Sequence, residues 1–289
     1  GHGGPDTMRV TFHGVRGSTP CSGEDHRRYG GNTSCVVVEL GDEAPIIFDL
    51  GTGLREYGHK LARSGDLCMQ ASVLLTHLHW DHVQGLPFFS PLHCDGTVLD
   101  VYGPLHDEAE LGGLFCELMK PPYFPIDPSG LVGSVRFHDV DGDDLELGTA
   151  KVRCRPVPHT GETNGYRVDW GGSSVAYVSD HQQPVDDPTH VVDEVLELCD
   201  NVDLLIQDAQ CSAEEFRDRP HWGHCTVDYA VEVARQSRAR RLALFHLDPF
   251  HDDDMVDRLL EGAVAATADD HGLEVIAAAE GLELTLGPA

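Results

Sequence analysis

The segment Thr76-His77-Leu78-His79-Trp80-Asp81-His82 constrains this chain more than any other. Four side chains able to bind a cation fall within six residues, directly after the short apolar run Ala71–Thr76. In an extended stretch, side chains two apart face the same way, so His77 and His79 can share one cation. Asp81 and His82 are adjacent and must diverge, which suits a second cation beside the first. Imidazoles combined with a carboxylate favour zinc or a similarly borderline ion. One such cluster cannot complete two four-coordinate sites. Three further ligand-type residues follow strand-like runs: His159 after Val157-Pro158, Asp180 after Ser173–Ser179, and His246 after Arg241–Phe245. Loops at strand ends are where a sheet scaffold presents its site residues.

The rest of the chain supplies that scaffold. Alternating or continuous apolar runs predict strands over Met8–Val15, Ser34–Leu40, Pro45–Leu50, Ala71–Thr76 and Thr97–Tyr102. Further strands are predicted over Val135–Val140, Leu145–Leu147, Ala150–Val157, Tyr166–Asp169, Ser173–Ser179, Asp203–Gln207, Arg241–Phe245, Leu273–Ala278 and Leu282–Leu286. Helical spacing marks Leu54–Arg63, stopped by Gly65, and Asp107–Met119, Val191–Cys199, Thr226–Gln236 and Asp252–Ala268. Prolines 121, 122, 125 and 128 make a stiff stretch, a candidate wall or lid within 104–130. Hairpin-like neighbours in the first half and strand–helix alternation in the second fit two sheets between helices, an α+β chain, better than one doubly wound sheet. Residues 1–7 read as a leader left from expression, with the native start at Met8 and a single domain over 8–289.

Composition narrows the partners. Lys and Arg number 20 against 49 Asp and Glu, a formal charge of −29. Binding a long nucleic acid needs cations that displace counterions from phosphates, so this balance argues against it. A small anionic substrate remains compatible, because a local dication outweighs a distant negative field. No run of about 18 apolar residues predicts a membrane span. No secretory signal is evident, so a cytoplasmic location is expected. Nine cysteines, none in C-x-x-C spacing, read as free, mostly buried thiols.

These motifs together resemble the metallo-β-lactamase fold superfamily over nearly all of Met8–Leu286, and within it the ribonuclease-Z-like and cyclic-phosphodiesterase-like branch. The branch likeness rests on Gly14-Val15-Arg16-Gly17-Ser18-Thr19-Pro20, Arg28-Tyr29-Gly30-Gly31-Asn32-Thr33-Ser34, Phe48-Asp49-Leu50-Gly51-Thr52-Gly53 and Gly223-His224-Cys225-Thr226. The resemblance implies an αββα four-layer sandwich and two divalent metal ions, zinc first, manganese or iron as alternatives. It implies that His77, His79 and His159 bind one ion, that Asp81, His82 and His246 bind the other, and that Asp180 bridges them with a hydroxide that acts as nucleophile. His224 is implied as proton donor or phosphate partner, with Asp208 as its acidic mate and Thr226 as the helix cap. Asp49 is implied as a partner that orients a ligand histidine, although locally it reads equally well as a turn aspartate. Arg16, Arg28 and Asn32 sit in glycine-bearing loops and are candidate phosphate contacts. Trp80 and Trp222 are candidates to stack a base.

The reaction expected first is hydrolysis of a small phosphodiester such as a cyclic nucleotide. The alternatives are a lactone or thioester hydrolase on the same ions, an RNA 3′-end processing endonuclease, and a non-enzymatic ligand-binding effector. Members of the branch that process transfer RNA carry a glycine- and proline-rich basic arm, and this sequence has none. Homodimerisation is common among similar proteins.

Overall fold

Runs such as Cys35–Leu40 are apolar at consecutive positions because both faces of the strand are covered. In the computed structural model, which describes residues 7–287, Val36, Val38 and Leu40 enter the space between two sheets, while Cys35 and Val37 pack toward outer helices. The leader assigned to residues 1–7 lies, but for Thr7, outside the described residues.

The chain first forms β1 (Met8–Gly14), β2 (Cys35–Leu40), β3 (Ile46–Phe48), α1 (Gly53–Ser64), β4 (Gln70–Leu74), β5 (Val98–Pro104), α2 (Leu111–Leu118) and β6 (Ser134–Val140). It continues with β7 (Asp144–Leu147), β8 (Ala150–Pro156), β9 (Asn164–Trp170), β10 (Ser173–Val178), α3 (Asp193–Cys199) and β11 (Leu204–Asp208). It ends with α4 (Ala213–Asp218), α5 (Val227–Ser237), β12 (Arg241–Phe245), α6 (Asp253–Ala266), β13 (Glu274–Ala277) and β14 (Glu283–Leu286). The strands form two sheets, ordered β14-β1-β2-β3-β4-β5-β6 and β13-β12-β11-β10-β9-β8-β7. Helices α1 and α2 cover the first; α3, α5 and α6 cover the second. The layers are helix, sheet, sheet, helix, the expected α+β αββα sandwich.

Each sheet is antiparallel over its first strands and parallel beyond. β1, β2 and β3 pair antiparallel, then β3 to β6 run parallel. β7 to β10 pair antiparallel, then β10 to β13 run parallel. Hairpins are therefore not confined to the first half, as the sequence pattern suggested. The carboxyl ends of β3 and β4 open together, as do those of β10, β11 and β12. β8 shares the direction of β10, because two antiparallel pairings separate them. Ligands of open α/β sheets gather at such carboxyl ends.

Two local expectations needed tertiary information. The helix expected from Asp107 begins only at Leu111, whose N–H is capped by the Asp139 carboxylate at 2.9 Å, a residue of β6. Cys68 and Cys94, 26 residues apart, are joined as a disulfide with Cα atoms 5.4 Å apart, which corrects the free-thiol reading for that pair. The other seven cysteines are free, five of them buried. Helix α4 was legible but passed over: Ser212 and Glu215 form a capping box.

β1 also carries an acid-sensitive residue. His13 points outward onto Tyr57 of α1, ring centroids 5.0 Å apart. Burial, aided by Lys60, pushes its pKa down to about 4. The folded protein thus leaves His13 neutral down to about that pH, while the unfolded chain protonates it below about 6.5. Stability is lost as pH falls through this window, on the order of 2 kcal/mol from this residue by about pH 5. Urea unfolding of His13→Phe at about pH 7 and about pH 5 is expected to show a smaller loss than the parent; an equal loss contradicts the assignment.

Candidate metal centre

Each candidate ligand leaves the carboxyl end of a strand, and the two sheets bring these ends to one place. Ligand atoms of His77, His79 and His159 lie within 4.8 Å of one another. So do those of Asp81, His82 and His246, and those of His77, His82 and Asp180. Asp180 is the common member. Its Oδ1 lies 3.1 Å from His82 Nε2, and its Oδ2 lies 3.3 to 3.7 Å from the Nε2 atoms of His246, His159 and His77. Asp81 Oδ2 lies 3.1 Å from both His82 Nε2 and His246 Nε2.

The far side of each ring is held by the protein, and those bonds set the tautomers. Asp49, fully buried, accepts from Thr76 N–H at 2.8 Å, His82 Nδ1–H at 2.7 Å and the Tyr177 hydroxyl at 2.8 Å. It also takes the Thr76 hydroxyl proton, so Thr76 Oγ1 is left to accept from His77 Nδ1–H at 2.9 Å. His159 Nδ1–H donates to the Gly223 carbonyl at 2.6 Å, and His246 Nδ1–H to Gln210 Oε1 at 2.9 Å. The Nε2 atoms of all four rings then face inward. His79 enters the cluster through Nδ1 instead, 2.7 Å from His77 Nε2. Asp49 and His246 both hold left-handed backbone, φ 61° and 56°, at strand ends, the kind of strain that site residues tolerate when their surroundings over-determine them. Gly17 passes so close that a Cβ there would meet the His246 ring at 2.1 Å.

The electrostatics fit a cation. Burial opposes the charge on Asp180, yet His246, His82, His77 and His159 outweigh it and hold the carboxyl well below its usual range. Asp81 is lowered likewise, burial being overcome by His82 and His246. Burial lowers His77, His79 and His159, keeping them in the neutral form that binds metal. Burial would also lower His246, but Asp180 and Asp81 raise it to about 9. His82 Nε2 is buried without a hydrogen-bond partner, although it is aimed between two carboxylates. A shared cation satisfies such an arrangement of donors, and the seven residues fit divalent ions.

Beside this cluster, His224 Nδ1–H donates to Asp208 Oδ2 at 2.8 Å. Its ring stacks on His246, centroids 4.8 Å apart. Thr226 caps α5 by accepting from Tyr229 N–H at 3.0 Å, as expected. Three other candidates have protein partners in the structure. Arg16 is fully buried and donates to the carbonyls of Gly30, Asp248 and His251 at 2.7 to 2.8 Å. Arg28 pairs with Asp257 and Asp254 on α6. Asn32 is tied through both backbone and side chain to Glu280. A glycine-rich context attracts phosphates and internal carbonyls alike, so local sequence could not separate the two roles. Sequence reasoning missed Gln210 and Thr76 as ring-holding partners and Tyr177 as a support of Asp49. It also missed the Ser18 N–H, which donates to Asp81 Oδ2 at 2.9 Å.

Two facing sheets with imidazoles and carboxylates converging at their strand ends define a class, the metal-dependent hydrolases of the metallo-β-lactamase fold. The chain belongs to the beta-lactamase superfamily: the family model described as "Beta-lactamase superfamily domain" matches residues 9–247. An uncharacterized protein of Mycobacterium leprae is 30% identical over 258 residues, covering 86% of this chain and 81% of the relative. A ribonuclease Z of Natronomonas pharaonis is 28% identical over 280 residues, covering 83% and 87%. Among solved structures, the metallo-beta-lactamase fold protein YhfI of Bacillus subtilis superposes with a TM-score of 0.70 at 22% identity, covering 97% of this chain and all of its own.

Asp49 generates the test of this subsection. Asp49→Asn keeps the volume but removes the charge that anchors His82 and Thr76. Loss of a partner that orients a ligand lowers metal affinity about 10- to 100-fold, and chelator competition measures it. Unchanged affinity would falsify the role given to Asp49.

Proposed function

We propose that this protein is a dinuclear, zinc-dependent phosphodiesterase acting on a small phosphodiester such as a cyclic nucleotide. His77, His79 and His159 would hold one ion, Asp81, His82 and His246 the other, and Asp180 would join them. Divalent ions bound there supply Lewis acidity, making a nucleophile from water near neutral pH and neutralising anionic oxygens.

The observation that carries the phosphodiester reading is His224. It stands at the edge of the cluster, with ligand atoms of His159, Asp180 and His224 within 4.8 Å of one another. Asp208 accepts from its Nδ1–H and is itself fixed by the N–H groups of His181 and Gln210 at 2.9 and 3.1 Å. The imidazole is therefore oriented with Nε2 free to take a proton from the attacking water and pass it to a departing alkoxide. The alkoxide leaving a phosphodiester or a lactone needs that proton; departure of a thiolate does not, so His224 disfavours the thioester reading. Asp81 and the ring partners keep the cluster rigid, so little reorganisation is needed when charge develops.

A small substrate is supported by composition. Segment 104–130 is anchored by buried Leu111, Phe115, Met119 and Pro128, while most of 121–127 is exposed. It offers no projecting basic arm, and the net charge of −29 disfavours a long polyanion. The ribonuclease Z relative favours the RNA-processing reading in one respect, because its reaction also breaks a phosphodiester.

Hydrolysis of 2′,3′- and 3′,5′-cyclic nucleotides by metal-reconstituted protein tests the proposal. Asp81→Ala is expected to abolish turnover with loss of bound metal. His224→Ala should keep its metal and lower kcat by about 10²- to 10⁴-fold, the usual scale of one general acid. No turnover by protein holding two ions per chain would sink the reading and make lactones and thioesters the leading substrates.

A further inference from the structure

Two indoles stand in water on loops that carry residues of the centre or their partners. Trp80 is 74% and Trp222 64% exposed, while the third tryptophan, Trp170, is buried. Large aromatic surfaces left in water at a cleft commonly mark a binding site. Neither position is remote from the cluster. Trp80 lies between His79 and Asp81, and Trp222 directly precedes Gly223, whose carbonyl holds His159.

His159 stands between the two loops that carry them. Its Nε2 edge faces His79 Nδ1 at 3.4 Å, and its Nδ1 edge donates to the Gly223 carbonyl. The two indoles are thus rooted on different edges of one ligand ring. Gly223 is required there: its φ is +91°, and a Cβ would meet His159 Nδ1 at 2.6 Å.

Trp222 is also braced from within the protein. The Arg219 guanidinium lies 5.4 Å from the centre of its ring. Buried Asp248 anchors that guanidinium at 2.7 Å, and Glu215 stands 3.7 Å from it. A cation held under one face of an indole orients the ring and leaves the other face for a flat group. Stacking of this kind needs no positive charge on the protein, which suits a chain as acidic as this one.

We infer that Trp80 and Trp222 form a stacking platform for a planar nucleobase, so that the preferred phosphodiester is a nucleotide rather than a base-free sugar phosphate. This rests on the phosphodiesterase reading. In that arrangement the metal-binding centre takes the phosphate and the indoles take the base. Arg219 acts as a positioning residue through Trp222.

The first arm of the test does not depend on turnover. Tryptophan emission of the metal-loaded protein is titrated with a nucleoside 5′-monophosphate and, separately, with ribose 5-phosphate. Saturable quenching is expected from the nucleotide alone, and its loss in the Trp80→Ala, Trp222→Ala double variant. The second arm compares KM for a cyclic nucleotide with KM for a cyclic ribose phosphate lacking the base. Each single alanine variant is expected to raise the nucleotide KM roughly tenfold, the scale of one base–aromatic contact, and to bring the two KM values together. Trp222→Phe, which keeps a π face, should restore most of the difference.

Base-specific quenching in a protein that hydrolyses no phosphodiester would support the platform and remove the phosphodiesterase reading. Turnover with equal KM values for both substrates and no base-specific quenching would overturn the platform. Loss of self-association in the alanine variants, seen by sedimentation with the KM ratio unchanged, would assign the indoles to a subunit contact and overturn it too.

Discussion

Five imidazoles and two carboxylates converge on one place here, five of the seven buried inside the protein, and buried groups of this kind stay in place only if gripped from outside. Asp49 is the strongest of these grips. With no solvent exposure, it accepts from backbone, hydroxyl, phenol and imidazole at once. It thereby ties β3, on which it follows, to the metal loop after β4 and to Tyr177 of β10 in the facing sheet. A buried carboxylate without such partners would be costly. With them it aligns His82 directly and His77 through Thr76. The inward Nε2 atoms, the position of Asp180 among them and the hydrolytic capacity of the centre all depend on that alignment.

The sandwich is the scaffold that makes the grip possible. Parallel pairing puts the ends of β3 and β4 side by side, and the ends of β10, β11 and β12 likewise. Packing the sheets face to face brings both sets of ends together. The outer helices then bury the far face of each sheet, which is why these strands read as continuous apolar runs. The site is polar and converging, while its support is apolar and layered.

Much of this was legible. The six residues from His77 to His82 announced metal chemistry by spacing alone, and His159, Asp180 and His246 were recognisable as ligand types after apolar runs. The positions of the strands along the chain were readable because apolar periodicity reports local burial. The starting point of α2 was not, since its cap comes from Asp139 on another strand. The fate of Arg16 was not either. An arginine between glycines looks the same whether it meets a phosphate or three carbonyls, and the carbonyls of Asp248 and His251 lie more than 230 positions away.

By itself, the sequence determined the ligand types, their attachment to strand ends and the alternation of layers, because those depend on spacing and on the contrast between apolar and polar residues. Tertiary structure alone decided which nitrogen of each histidine faces inward, which residue holds the other nitrogen, and which loop residues reach the centre. It also joined Cys68 to Cys94 and set the loops that carry two exposed indoles on either edge of His159. Those outcomes rest on hydrogen bonds, a covalent link and packing between residues far apart in the chain, and no local pattern encodes a partner that only folding brings near.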